Sequence, residues 1–128
     1  SFAQQLSAPL AIIDKHRFKS NKMQAMNVIG DIEGRECIII DDIIDSANTI
    51  CSAAALLKKN GATQVIAYVT HPVLSNNAIN RIQDSVLDEL IVTDTIPLST
   101  TAKAYPNINI LSIAPLLSEV IATLHAEL

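Results

Sequence analysis

One stretch of the sequence indicates the expected fold: Cys37-Ile38-Ile39-Ile40-Asp41-Asp42-Ile43-Ile44-Asp45-Ser46-Ala47-Asn48-Thr49-Ile50. Its opening run, Cys37–Ile40, is apolar and largely β-branched, which is typical of a strand buried on both faces. We expect this strand to stop at Asp41-Asp42. A helix is predicted to follow, because four apolar residues then recur at the spacing of one helical face: Ile50, Ala53, Ala54 and Leu57.

The same strand–helix alternation continues outward from this stretch. Further strands are predicted at 64–69, 89–92 and 108–113, and further helices at 76–84 and from Pro115 onward. Such alternation predicts an α/β fold, with a mainly parallel sheet and helices on both faces. The turn residues of 30–34 also predict a β-hairpin within residues 23–40. The polar, basic segment Lys15–Lys22 predicts a loop that opens and closes over a substrate.

Length and composition restrict the classes of function. The 128 residues make one domain, and the 49% apolar content is enough to bury a core. A net charge of −4 and 3% aromatic residues argue against nucleic-acid partners. No apolar run is long enough for a membrane span. Cys37 and Cys51 lack metal or redox spacing, which indicates small buried hydrophobes in a reduced, cytoplasmic setting.

The loop after the first strand has the features of a phosphate site. Backbone N–H groups of Ser46–Thr49 are expected at the positive end of the helix dipole, where they point at an anion. The hydroxyls of Ser46 and Thr49 add donors, and the carboxylates of Asp41 and Asp42 accept hydrogen bonds from sugar hydroxyls. Phosphate at one end and a diol at the other describe a pentose phosphate.

A structural role is the alternative for the same residues. Asp45 or Ser46 is then simply the N-cap of the helix, and the acid pair a polar loop. The complete order of strand, acid pair, loop and helix favours the binding site, because a phosphate site needs that order.

At this point the chain resembles a known family. The loop resembles the phosphoribosyl-binding motif of type I phosphoribosyltransferase folds, and the whole chain resembles the C-terminal part of ribose-phosphate pyrophosphokinases. Besides the loop, the resemblance rests on separate motifs in the right order: Leu10–Lys15, Asn27–Asp31 with Glu33-Gly34, Ala67–Pro72, Val92–Leu98 and Pro115–Leu117. It therefore covers nearly all of the chain.

The resemblance implies an activity and a set of residue roles. That family transfers the diphosphoryl group of ATP to ribose 5-phosphate, giving phosphoribosyl pyrophosphate and AMP, and needs Mg²⁺. It implies that Lys15 and Arg17 are catalytic cations and that Arg17 also belongs to the ribose 5-phosphate site. The remaining members of that implied site are Asp41, Asp42, Asp45, Ser46, Ala47, Asn48 and Thr49. A homo-oligomer is implied as well.

The chain also departs from the family pattern. Ala47-Asn48 stand where the family has small residues, often glycine, and Asn48 is expected to tolerate a left-handed backbone there. His16 replaces an arginine. We expect residues 1–128 to form a single, truncated C-terminal domain, without the N-terminal domain, the metal ligands or most of the ATP site. The chain by itself is therefore expected to be inactive.

Two other functions keep the same sugar loop. One is a salvage phosphoribosyltransferase, and the other is a non-catalytic phosphoribosyl-binding regulatory subunit. The Lys15–Arg17 segment and residues 93–98 favour the diphosphokinase, while His16 and Asn48 leave the regulatory subunit open.

Overall fold

The computed structural model describes residues 1–17 and 24–128, and for residues 16, 17, 24 and 25 it describes the backbone alone. The elements in chain order are α1 (Phe2–Gln5), β1 (Ile12–Arg17), β2 (Gln24–Ile29), β3 (Glu36–Ile44), α2 (Asn48–Lys59), β4 (Gln64–Pro72), α3 (Ala78–Gln83), β5 (Glu89–Thr93), α4 (Thr100–Ala104), β6 (Ile108–Leu111) and α5 (Ala114–Glu127).

The strands form two sheets in this part of the chain. β3, β4, β5 and β6 lie side by side in chain order and are all parallel. β1 and β2 form a separate antiparallel pair. The predicted α/β class, a mainly parallel sheet flanked by helices, is confirmed. Because parallel strands share one direction, their carboxyl ends lie along a single edge of the sheet.

The core lies between one face of the parallel sheet and helices α2, α3 and α4. Alternate residues of β4 and β5 point into it, and Val65, Ala67 and Leu90 are fully buried. The predicted apolar face of α2 is confirmed, since all four of its residues are buried. The helix ends as its sequence indicates, with Lys58 and Lys59 in its last turn and Gly61 at a positive φ of 98°.

The second face of the parallel sheet is more open than the sequence predicts. Ile38, Ile40 and Tyr68 are 53%, 42% and 38% exposed. The expectation that the strand Cys37–Ile40 is buried on both faces is therefore wrong for the described residues. β3 follows the alternation of a half-buried strand instead. Helix α1 lies beside this face and contributes to a cleft of about 400 Å³ there.

The predicted hairpin is present, but its pairing is different. β2 pairs with β1, from Ile12 opposite Ile29 to Arg17 opposite Gln24. It does not pair with β3, whose ladder partner is the parallel strand β4. Residues 30–35 therefore connect the two sheets, and Gly34 N–H donates to the Gly61 carbonyl at 2.9 Å. The turn composition of residues 30–34 predicts a break between two strands but cannot specify which strands become neighbours.

The predicted loop Lys15–Lys22 is also shorter than expected. Its first three residues belong to β1, where Lys15 lies opposite Met26. Residues 18–22 of that loop lie outside the described residues. A polar segment of this kind has no apolar periodicity that would predict a strand.

The last helix forms where its sequence predicts, with Pro115 in the first turn. Its apolar stripe of Leu117, Val120, Ile121 and Leu124 is exposed. Two short helices, α1 and α4, have no prediction from the sequence, since each is about one turn long. Among the described residues, no helix combines the length and the apolar content needed to cross a membrane.

Candidate functional site

The acid pair lies inside β3 and not after it. β3 continues to Ile44, so the expectation that the strand stops at Asp41-Asp42 is wrong. Asp41 is opposite Val69 of β4, and the N–H of Asp42 donates to Asp41 Oδ1 at 2.9 Å. Consecutive strand residues project to opposite faces. The two carboxylates therefore leave the sheet in different directions near its carboxyl edge.

Helix α2 begins at Asn48, and its N-cap is Ala47. The expectation that Asp45 or Ser46 caps this helix is therefore wrong. The nearest contact to a side-chain cap is Ser46 Oγ, at 3.5 Å from the N–H of Asn48, which is too long for a strong hydrogen bond. A side-chain cap is favoured by composition, but here the backbone conformation of the loop decides where the helix starts.

Ala47 has a left-handed backbone, with φ of 66° and ψ of 5°. Asn48, which we expected to tolerate this conformation, is instead the first residue of the helix. A left-handed conformation costs a non-glycine residue about 1–2 kcal/mol. Ala47 is 4% exposed, and its carbonyl accepts from Cys51 N–H at 3.0 Å. Burial and this helical hydrogen bond therefore act together to hold the strained residue.

The carbonyl before Ala47 is held from another helix. Arg81 of α3 donates from Nη1 to the carbonyl oxygen of Ser46. A hydrogen bond from a charged donor contributes about 1.5–3 kcal/mol, which matches or exceeds the cost of one left-handed residue. The sequence analysis did not identify Arg81. Its position in the last turn of a short helix gives no local signal for a contact 35 residues away.

A second contact ties the loop to the same part of the chain. Ser75, in the connection between β4 and α3, donates its hydroxyl proton to Asp45 Oδ1. Asp45 and Ser46 are thus both bound by residues that follow β4. This arrangement fixes the loop against the sheet edge, and it leaves the second carboxylate oxygen of Asp45 outside that hydrogen bond.

The start of α2 can receive an anion. Cys51 N–H bonds to the Ala47 carbonyl, and the N–H groups of Asn48, Thr49 and Ile50 precede the first residue with an intrahelical acceptor. Asn48 and Thr49 are exposed, and Ser46 is half-buried. Donors therefore converge at the positive end of a 12-residue helix.

The other strand ends form a hydrogen-bonded rim. Thr93 Oγ1 and Thr95 Oγ1 donate to the Thr70 carbonyl at 2.6 and 3.0 Å, and His71 Nδ1 lies 2.9 Å from Thr95 Oγ1. Since the single Thr95 proton goes to Thr70, the assignment that fits is a His71 ring donating from Nδ1. These contacts give His71 a structural role between β4 and β5.

Asp94 has a structural role as well. Its carboxylate accepts from the Ser112 hydroxyl at 2.6 Å and from Ile113 N–H at 3.0 Å. These two donors hold the pKa of Asp94 below its ordinary value of 3.8. The sequence left open whether Asp94 lines a site. The structure uses it to join the end of β5 to the start of α5.

The predicted catalytic cations lie on the other sheet. Lys15 is exposed on β1, and Arg17 is the last residue of that strand, with its side chain outside the described part. The residues of 41–49 are thus brought together by the end of β3, whereas Lys15 and Arg17 are placed independently of them. The sequence alone gives no measure of this separation.

Three remaining features bear on the chemistry. Burial raises the pKa of the Cys37 and Cys51 thiols, which are free and half-buried, as expected of inert small hydrophobes. In the described ranges 1–17 and 24–128, no group of three or more His, Cys, Asp or Glu side chains is placed to hold a metal ion. A cleft of about 590 Å³ lies between α2 and α3, and of the predicted site residues Asn48 lines it.

Comparisons with known proteins agree with this geometry. Residues 2–127 match the model of the phosphoribosyl synthetase-associated domain family. A ribose-phosphate pyrophosphokinase of Chromobacterium violaceum is 52% identical over 125 residues, which cover 98% of this chain and 38% of that protein. The protein of the same name from Burkholderia pseudomallei is 57% identical over 93% of this chain and 37% of its own length.

A solved structure is similar over the same extent. The phosphoribosylpyrophosphate synthetase of Mycobacterium smegmatis superposes with a TM-score of 0.84 at 38% identity, over 98% of this chain and 40% of that one. The chain therefore spans less than half the length of the proteins it matches. On these matches, together with the parallel sheet and the loop at the end of β3, the chain belongs to the phosphoribosyl synthetase-associated domain family.

Proposed function

We propose that this chain is the C-terminal, phosphoribosyl-binding domain of a ribose-phosphate diphosphokinase. The longer protein would transfer the β,γ-diphosphoryl group of ATP to the C1 hydroxyl of ribose 5-phosphate. The observation that carries the proposal is the left-handed Ala47, which opens α2 at the end of the strand that bears Asp41 and Asp42. Membership of the family supports it.

The loop is the proposed site of the sugar 5-phosphate. Asp45–Thr49 offers backbone N–H groups and the hydroxyls of Ser46 and Thr49, which suit a dianion at a helix N-terminus. Asp41 and Asp42 precede it on β3 and are the proposed acceptors for the ribose hydroxyls. Because the two carboxylates project to opposite faces, we expect them to contribute unequally to sugar binding.

Diphosphoryl transfer is assigned to the cations of β1. The C1 hydroxyl gives up its proton to solvent as its oxygen attacks the β-phosphorus, the bond from that phosphorus to the bridging oxygen breaks, and AMP leaves with that oxygen. Negative charge spreads over the migrating group in the transition state, and Lys15 and Arg17 are proposed to stabilise it. Catalysis of this kind depends on position and charge, so both cations must reach the loop when the longer protein is assembled.

ATP and Mg²⁺ remain predictions from the family. The described residues form no cluster of ligands that fits a metal ion. We propose that the rest of the longer protein supplies the metal ligands and most of the ATP site. A cytoplasmic homo-oligomer is the proposed state of that protein.

The loop assignment is tested on this chain by titrating ribose 5-phosphate and following backbone amides by NMR. We expect shifts concentrated at Ala47, Asn48 and Thr49, and similar but weaker shifts with inorganic phosphate. Thr49→Ala should weaken binding of both ligands, whereas Thr101→Ala, an exposed threonine of α4, should not. Absence of shifts at the loop at tens of millimolar ligand, roughly the weak limit of specific binding, would contradict the assignment.

An activity assay separates the proposed function from the two alternatives. The longer protein should form AMP from ATP and ribose 5-phosphate, while the isolated 128-residue chain should form none. Release of a free base from a nucleotide, with pyrophosphate taking its place on the sugar, would indicate a salvage phosphoribosyltransferase. Sugar-phosphate binding without either reaction would indicate a regulatory subunit.

A further inference from the structure

The loop proposed to bind phosphate is bound by one charged side chain from a different helix. Arg81 belongs to α3, whose buried residues Ile79 and Ile82 pack in the same core as Ile50 of α2. From this anchored position its guanidinium reaches the carbonyl oxygen of Ser46. The contact therefore ties α3 to the loop before α2 at Ser46, the residue that immediately precedes the left-handed Ala47.

This contact controls the direction of an N–H group. The described part of the chain has no cis peptide bonds, and in a trans peptide the carbonyl and the N–H point in opposite directions. When Arg81 binds the Ser46 carbonyl, the N–H of Ala47 points in the opposite direction within the same peptide plane. Its direction is thus set from α3 and not by the loop itself.

The opposite orientation of this peptide would remove the left-handed backbone. Rotation of the Ser46–Ala47 peptide plane by half a turn changes φ of Ala47 by the same amount, which moves it from 66° to a negative value. That rotation would break the Arg81 contact and reverse the Ala47 N–H. The observed, disfavoured conformation therefore depends on a contact that holds the carbonyl in place.

We propose that Arg81 is a positioning residue for the phosphate loop. By binding the Ser46 carbonyl it keeps Ala47 left-handed and aims the Ala47 N–H into the loop, beside the N–H groups of Asn48 and Thr49. This inference rests on the proposed function, because it assigns that N–H a ligand, the 5-phosphate of the sugar. Arg81 itself makes no contact with the ligand in this account.

The test compares Arg81→Met and Arg81→Gln with the unmodified chain. Methionine keeps the length without a donor, and glutamine keeps a donor without the charge or the reach. Ribose 5-phosphate is titrated by NMR, and the three-bond coupling between the amide and α protons of Ala47 reports its φ. We expect about tenfold weaker binding in both variants, the usual scale for losing a hydrogen bond from a charged donor, with a changed Ala47 coupling.

A matched control and a rescue make the test specific. Arg35→Met removes another arginine, which is 3.9 Å from Asp31 on the surface, and should leave ribose 5-phosphate affinity within about twofold. Ala47→Gly, placed in the Arg81→Met background, should recover part of the affinity, because glycine adopts a left-handed φ without cost. A residue that served only for general stability would give no such rescue.

The outcomes of the two proposals differ. If the unmodified chain shows no loop shifts, the phosphate site itself is wrong. If it binds ribose 5-phosphate, and either Arg81 variant folds and binds equally well with an unchanged Ala47 coupling, the phosphate site stands and the positioning role of Arg81 is overturned. Should Arg81→Met not fold, Arg81→Gln alone decides by the same two measurements.

Discussion

The end of β3 and the sheet of β1 and β2 differ in how firmly the fold holds their proposed site residues. The loop 45–49 lies between Ile44 and Ile50, which are 2% and 3% exposed, and it is bound from the β4–α3 region. Lys15 stands exposed on a two-stranded sheet that packs on the core through partly buried Ile13 and Val28. The loop proposed to bind the sugar phosphate is thus built into the core, whereas the residues proposed for transfer are carried outside it.

The largest effect is expected for Lys15, on the sheet of β1 and β2. If transfer is separate from binding, Lys15→Ala in the longer protein lowers turnover by roughly 10²–10³, the scale of one transition-state charge contact, and changes ribose 5-phosphate affinity little. Steady-state kinetics and a binding titration measure the two quantities. Lys103→Ala, an exposed lysine of α4, is the control and should keep full turnover. Equal loss of binding and turnover would remove the distinction between the two regions.

A smaller effect is expected in the loop 45–49, which the core holds. Ala47→Val places a β-branched side chain at a left-handed, buried position, so the free energy of unfolding should fall by about 1–3 kcal/mol and ribose 5-phosphate binding should weaken. Urea unfolding of this chain measures the stability. Ala55→Val, on the exposed side of α2, should cost only about 0.5 kcal/mol. A tolerated valine at 47 would mean that the loop is not rigidly held.

The smallest effect is expected at Asp94, which joins the end of β5 to the start of α5. The pKa of Asp94 is lowered by its hydrogen bonds from Ser112 and Ile113, so this carboxylate stabilises the fold above its ordinary pKa of 3.8 and loses that contribution as pH falls through the lowered value. The melting temperature of Asp94→Asn should therefore lie below that of the unmodified chain near neutral pH. The difference should shrink as the pH falls below 3.8 and through the lowered pKa.

Removal of one of the two donors to Asp94 tests whether these hydrogen bonds cause the pH dependence. Ser112→Ala should reduce the pH-dependent part of the difference without abolishing it, since the Ile113 N–H remains. A constant difference between Asp94→Asn and the unmodified chain across the acid range would show that the carboxylate acts by shape and not by charge.

Local patterns predicted the elements whose signal is their own periodicity. The apolar face of α2, its Lys58-Lys59 and Gly61 end, and the Pro115 start of α5 all follow from spacing or backbone preference within a few residues. The same patterns placed the acid pair at the sheet edge near the start of a helix. These properties need no knowledge of distant parts of the chain.

Properties that depend on distant contacts were missed. The left-handed residue is Ala47 and not Asn48, and the carbonyl that precedes it accepts a hydrogen bond from Arg81, 35 residues away. The partner of β2 is β1, and no pattern within residues 24–44 specifies that β2 pairs with a preceding strand and not with β3. The exposure of Ile38 and Ile40 likewise depends on what lies above the sheet and not on their own hydrophobicity.

The sequential order of the parallel strands has a consequence for how the chain folds. Each strand pairs with the next one along the chain, as when Leu90 takes its place opposite Ile108, so every addition closes one crossover connection onto an edge that already exists. No strand has to be inserted between two others after they have paired. Assembly can therefore proceed one crossover unit at a time, in the order of synthesis.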